Sequence, residues 1–184
     1  MSLFVAIVPS LEAIEDLDDR LQVVRVDRAC QDLRWQPSSR WHVTMAFLGD
    51  LPEEADDELA SHLDTLAAAH AGPTLRLAGA GTFGKHILWT GVEGIDDEQS
   101  ASFAALGRTI HVVLRRAGFS LEHRPWRPHL TLARSRGSDA RPATALLDAY
   151  SGPSWKVAEL LAVRSEGGPS PVHTVIHRSH MAIG

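Results

Sequence analysis

Two short stretches of the 184-residue chain repeat the same residue types in the same order, His42-Val43-Thr44-Met45 and His129-Leu130-Thr131-Leu132, 87 residues apart. An imidazole titrates near neutrality and can either take up or release a proton. A threonine two positions along an extended strand projects from the same face as the histidine, where its hydroxyl can bond a non-bridging phosphate oxygen. A lone strand histidine is most often a satisfied structural residue. Two in matching motifs suggest pseudo-symmetric halves and a shared task. In-line displacement at phosphorus needs a base for the attacking water and an acid for the departing oxygen, on opposite sides. Cleavage of a cyclic phosphodiester is such a reaction, and it calls for no metal. Arg134, three residues beyond Thr131, could add positive charge where negative charge gathers in the transition state.

Both motifs need strands to present them. Trp41 to Leu48 alternates, is rich in β-formers, and lies between Pro37-Ser38-Ser39 and Gly49-Asp50; His129 to Ala133 follows Pro128. A buried strand is predicted at the N-terminus. Ser10 then caps a helix whose apolar positions Leu11, Ile14, Leu17, Leu21 and Val24 follow the helical period. Pro52, ahead of Glu53, Glu54, Asp56 and Asp57, predicts a helix over 52–70, its acidic start matched to the helix dipole and given no function. Strands over 75–80 and 86–92 are expected around a Gly79–Gly84 turn. Phe103, Leu106, Ile110, Val113 and Ala117 mark a helix stopped at Gly118. A short helix from Pro142 to about Tyr150 and strands near 155–164 and 172–180 complete the order. That order is α+β with mixed or antiparallel sheets, not a doubly wound parallel sheet.

Composition narrows the partners. No apolar run approaches the roughly 20 residues that span a bilayer, and the N-terminal segment lacks a basic leader, so a cytoplasmic protein without membrane contact is expected. The single cysteine, Cys30, cannot close an internal disulfide and offers no metal or redox framework; it is expected to be buried and inert. A net charge of −5 argues against long, sequence-independent tracking of nucleic acid. Its distribution is uneven, with 14 acidic and 5 basic side chains in residues 1–66 against 9 and 13 in residues 67–184. Arg115, Arg116, Arg124, Arg127, Arg134, Arg136 and Arg141 face only Glu122 and Asp139 across 27 residues, which suits a local anion site or a solvated basic face.

Other features have plainer readings. Phe47 and Trp126 could stack on a nucleobase, although aromatics beside a strand are more often core. His173, His177 and His180 invite a metal site, but on a strand the first two lie about 13 Å apart, and no cysteine or obvious carboxylate completes a set. Gly79–Gly84 lacks the lysine of a phosphate-binding loop and opens no helix.

Taken together, Phe4-Val5-Ala6-Ile7, the block His42 to Gly49, Gly79-x-Gly81-x-Phe83, Leu88-Trp89-x-Gly91-Val92 and Arg127-Pro128-His129-Leu130-Thr131-Leu132-Ala133-Arg134 resemble the two-histidine phosphoesterases. Within them, the likeness is to RNA 2′,3′-cyclic phosphodiesterases once described as 2′-5′ RNA ligases, over about residues 2–165. The resemblance implies two pseudo-symmetric α+β lobes with mostly antiparallel sheets flanking a central cleft, helices outside, in one bilobal domain over 1–184. It implies His42 and His129 as catalytic residues, Thr44, Thr131 and Arg134 as substrate contacts, and no cofactor. It makes His42 the acid and His129 the base, giving a 2′-phosphomonoester. The family continues after the position of Ser165 through a glycine-containing turn to a tyrosine-bearing strand, whereas here Glu166 to Pro171 leads to Val172-His173.

The expected partner is an RNA terminus or short oligonucleotide, handled by a monomer. Another cyclic phosphodiester, 2′-5′ joining, or a non-catalytic nucleotide-binding module would use the same residues.

Overall fold

A computed structural model describes residues 1–122, 125–135, 137–167 and 171–183. Its strands are β1 (Ser2–Ile7), β2 (Arg34–Trp35), β3 (Val43–Asp50), β4 (Thr74–Phe83), β5 (Ile87–Gly94), β6 (His129–Arg134), β7 (Ser151–Lys156), β8 (Glu159–Glu166) and β9 (Val172–His180). Its α-helices are α1 (Leu11–Arg25), α2 (Ala55–Ala68) and α3 (Asp97–Arg116). The strands form one nine-stranded sheet in the order β7-β4-β5-β6-β3-β1-β8-β9, with β2 laid beside β6. Every strand pairing among them is antiparallel. The fold is the expected α+β, with the two halves joined edge to edge where β6 meets β3.

That join is narrow, a single registered pair, Val43 opposite Leu130. Both side chains are fully buried on the helical side of the sheet, in one core with Leu17 and Leu21 of α1, Leu59 and Leu63 of α2, and Ile110 and Leu114 of α3. Alternation makes this possible, since residues two apart on each strand share a face. β1 is buried on both faces: Leu3, Val5 and Ile7 enter the main core, while Phe4 and Ala6 pack with Leu161 and Val163 of β8 in a smaller cluster.

Several local expectations are corrected. β4 runs on through the glycine-rich segment to Phe83, and Gly79 sits in a bulge of the β4–β5 ladder, not in a turn. The turn falls at 84–86, where Gly84 takes a positive φ of 57° that side chains resist. The segment after Pro142 forms only a six-residue 3₁₀ helix, Arg141–Leu146, because a run this short does not offset the entropy of α-helix nucleation. The strand expected near 155–164 is two strands, β7 and β8, and β2, two residues long, gives no periodic signal at all. Gly168, Pro169 and Ser170 of the divergent C-terminal stretch, and Arg124 and Arg136 of the arginine cluster, lie outside the described residues.

The acidic start of α2 has a structural task. Arg164 of β8 is 6% exposed, and its Nε donates to both carboxylate oxygens of Asp56 at 3.0 Å. The same guanidinium donates to the carbonyls of Leu51 (2.8 Å) and Pro52 (2.7 Å), tying the first turn of α2 to the sheet. Removing one partner strands a buried charge. Asp56→Ala is expected to lower stability by about 2–3 kcal/mol, the two carbonyls offsetting part of the loss. A urea titration yielding a wild-type midpoint would show the pair to be dispensable.

Candidate active site

The antiparallel order around Val43 and Leu130 brings His42 alongside Thr131 and Thr44 alongside His129. Because the ladder holds only this pair, the strands splay on either side, and the face opposite the core opens as a cleft of about 860 Å³. His42, Thr44, His129, Thr131, Phe47 and Arg134 all line it.

Both histidines are seated in the same way. Nδ1 of His42 lies 2.8 Å from the Arg40 carbonyl, and Nδ1 of His129 lies 2.7 Å from the Arg127 carbonyl, two residues upstream in each case. A carbonyl only accepts, so Nδ1 carries the hydrogen and Nε2 is left with its lone pair. Each ring also rests on a phenylalanine, His42 on Phe4 at 5.0 Å between centroids and His129 edge-on to Phe83 at 4.6 Å. Burial pushes His42 below the ordinary histidine range; the bond to Arg40 opposes this, and the nearby His173 and His129 add to it. Burial lowers His129 as well, opposed by its bond to Arg127 and reinforced by the positive charge of Arg134. The neutral form is thus favoured in both rings that line the cavity.

Bulges decide where the side chains beyond each motif point. Opposite β1, the register steps over Met45, so Thr44 and Phe47 share the cleft face although an unbroken strand would put them on opposite sides. Opposite β5, Leu132 is the extra residue, and Thr131 and Arg134 share the cleft face for the same reason. Phe47 is 40% exposed, which overturns its reading as core.

Trp126 packs partly buried against the core, as aromatics beside a strand more often do, and it also lines a smaller cavity with Thr44, Phe47 and His129. Its Nε1 donates to the Thr44 carbonyl at 3.0 Å, and its ring packs edge-on to Phe103 of α3. Beside it, His111 of α3 bonds the Met45 carbonyl at 2.8 Å. Where β3 parts from β6, these two side chains serve backbone groups that have lost their ladder. Gly107 of α3 makes the arrangement possible, since a Cβ there would fall 2.3 Å from the Trp126 ring. Trp126 is thus a brace behind Thr44, and the cavity of about 400 Å³ that it lines shares Thr44, Phe47 and His129 with the main cleft.

The three C-terminal histidines go to three places. His177 bonds Asp64 at 2.8 Å, His180 approaches Glu159 at 3.3 Å, and His173 enters the cleft edge-on to His42 at 5.1 Å. Among the described residues no group of three or more His, Cys, Asp or Glu is placed to hold a metal ion. Among the described residues no helix is long and apolar enough to cross a membrane. Cys30 is buried. Sequence reasoning misses His173, Arg34 and Trp35 as cleft residues. His173 leaves one trace, standing where the resembled family carries a tyrosine-bearing strand.

Known proteins resemble this chain in sequence and in fold. A profile of the 2′-5′ RNA ligase superfamily matches residues 12–169. An RNA 2′,3′-cyclic phosphodiesterase of Geobacillus stearothermophilus is 32% identical over 148 residues, 77% of this chain and 46% of that protein, so the chain spans about half the length of that relative. One of Thermus thermophilus is 28% identical over 77% of this chain and 72% of its own. The crystal structure of E. coli LigT complexed with 3′-AMP superposes with a TM-score of 0.72 at 23% identity, covering 98% of this chain and 97% of that one, which establishes likeness of fold. With the superfamily profile spanning most of its length, the chain belongs to the 2′-5′ RNA ligase superfamily.

Proposed function

We propose that the chain hydrolyses RNA 2′,3′-cyclic phosphate ends to 2′-phosphomonoesters without a metal, within one bilobal domain. The observation that carries this reading is the duplicated seating of His42 and His129, each Nδ1 tied to the carbonyl two residues upstream and each ring lining one cleft. The relatives named RNA 2′,3′-cyclic phosphodiesterase support it.

With the cyclic phosphate between the rings, Nε2 of His129 takes a proton from water as the water oxygen bonds to phosphorus. The bond from phosphorus to the ribose 3′ oxygen breaks on the far side, and that oxygen takes the proton held on Nε2 of His42. The 2′ ester bond survives, leaving a 2′-phosphate and a free 3′-hydroxyl. Thr44 and Thr131 bond the non-bridging oxygens and hold phosphorus on the line between the rings. Phe47 offers a face for a base, and Arg134 adds positive charge to the same cleft. If a 5′-hydroxyl attacks in place of water, the same two proton transfers give a 2′-5′ linkage, the reaction for which the superfamily is named.

His42→Ala and His129→Ala are each expected to slow hydrolysis of a 2′,3′-cyclic-ended oligonucleotide by about 10²- to 10⁴-fold, with wild-type folding retained and the wild-type rate unaffected by chelator. A histidine whose alanine variant turns over normally has no part in the chemistry, and a rate abolished by chelator would overturn the metal-free reading.

The reaction needs one ring protonated and one neutral, a state most populated between the two titrations. Since burial lowers both rings, kcat/KM should follow a bell centred below about 6.5, the ordinary histidine value. The folded chain favours neutral rings, so the unfolded chain binds more protons just below that value, and stability falls as pH drops through it. Replacing both histidines by alanine should flatten that slope in urea titrations at pH 5 to 7.5. A slope unchanged in the double variant would mean that other groups carry it.

A further inference from the structure

The cleft continues past the reacting histidines along β6, where β2 lies against the far half of the strand. There Arg34 stands directly opposite Arg134, and Trp35 opposite Ala133. The register is held by the Gln36 N–H, which donates to the carbonyl of the bulged Leu132 at 2.8 Å. Like charges paired across antiparallel strands repel each other and cost stability.

Nothing in the described structure offsets that repulsion. Arg25, Arg76, Arg141, Arg164 and Arg178 each hold a carboxylate. Among the described residues, Arg34 and Arg134 have neither an ion pair nor a side-chain hydrogen bond, and both line the cleft. The lining contains Arg34, Arg40, Arg134 and three histidines but no Asp or Glu. In a chain of net charge −5, a cleft lined by no carboxylate and by two arginines in cross-strand register suits an anion that arrives with the substrate.

We propose that Arg34 and Arg134 form a second anion subsite that takes the phosphate one nucleotide before the reacting cyclic phosphate. The proposal rests on the cyclic phosphodiesterase reading and narrows its substrate class to RNA ends whose last nucleoside carries a 5′-phosphate or a phosphodiester. From Thr131 to Arg134 the strand advances three residues, one of them absorbed by the bulge at Leu132, so the two sites are offset by roughly 7 Å along β6, a spacing of nucleotide size. Two guanidinium forks can each present parallel N–H donors to the non-bridging oxygens of one phosphate. Trp35, under the Arg25 guanidinium at 5.5 Å, gives the subsite a rigid wall.

Equilibrium binding separates this subsite from the chemistry. The intact chain, titrated calorimetrically, is expected to bind adenosine 2′,5′-bisphosphate about tenfold more tightly than adenosine 2′-monophosphate at low salt, the scale of one charge-assisted contact pair. Arg34→Gln should reduce that preference to threefold or less, and Arg134→Gln should do the same independently. Arg141→Gln, which removes an equal charge outside the cleft, should preserve it. Equal affinity for the two ligands in the wild type, or a preference that survives both cleft variants, would overturn the subsite. The kcat/KM ratio of a cyclic-ended dinucleotide to a nucleoside 2′,3′-cyclic phosphate should shift in parallel. Failure to hydrolyse either substrate would count against the phosphodiesterase reading alone, with the binding comparison still deciding the subsite.

Discussion

A single cross-strand pair, Val43 opposite Leu130, governs the rest of the structure. If the two half-sheets met along a full ladder, backbone hydrogen bonds would run through the space the cleft occupies, and the two histidines would be ordinary residues of a continuous pleat. If they did not meet at all, nothing would hold the imidazoles to a common target. One registered pair, with both side chains sunk into the core, fixes the relative position of the halves while leaving their cleft faces to diverge. The opening leaves unpaired backbone carbonyls beside the join, and Trp126 and His111 bond those of Thr44 and Met45. The support behind the site is thus a direct consequence of opening it.

The bulges extend the same logic. Each half carries a histidine, a threonine two residues on, and a cleft-facing side chain three residues after that, Phe47 in one half and Arg134 in the other. A regular strand would turn that third side chain into the core. An extra residue in each ladder, Met45 in β3 and Leu132 in β6, restores it to the cleft. The halves are therefore related in backbone and in the seating of their histidines but differ in what they add, an aromatic face on one side and a positive charge on the other. A nucleotide is asymmetric in the same sense, with a flat base and a charged phosphate at opposite ends of its sugar.

Legibility in the sequence divides along the range of the interactions. His42, Thr44, His129 and Thr131 are readable because they rely on alternation, a local property that survives in any strand, and the Ser10 cap is local too, its side chain accepting from the Ala13 N–H. Phe47 reads wrongly as core because a bulge depends on the partner strand, and nothing in Met45 or Leu48 announces the step. Trp126 hides its role because its partner is a carbonyl 82 residues away. β2 escapes because two residues have no period, and it takes Arg34 and Trp35 with it. The glycine-rich segment from Gly79 invites a turn by composition alone, while the register with β5 keeps it extended as far as Phe83.

The anionic substrate proposed above has to be reconciled with a net charge of −5. Many of its acidic groups are committed away from the cleft: Asp56 to Arg164, Asp64 to His177 and Ser179, Asp16 to the Tyr150 hydroxyl, and Asp96 to the cap of α3. The ionisable side chains that line the cleft are three arginines, Arg34, Arg40 and Arg134, and three histidines, His42, His129 and His173. Within a partly enclosed cleft of this kind, attraction between these groups and an anion is stronger than at an open surface. Screening by salt weakens that attraction. On the phosphodiesterase reading proposed above, such a site would hold the end of a nucleic acid without an extended basic groove.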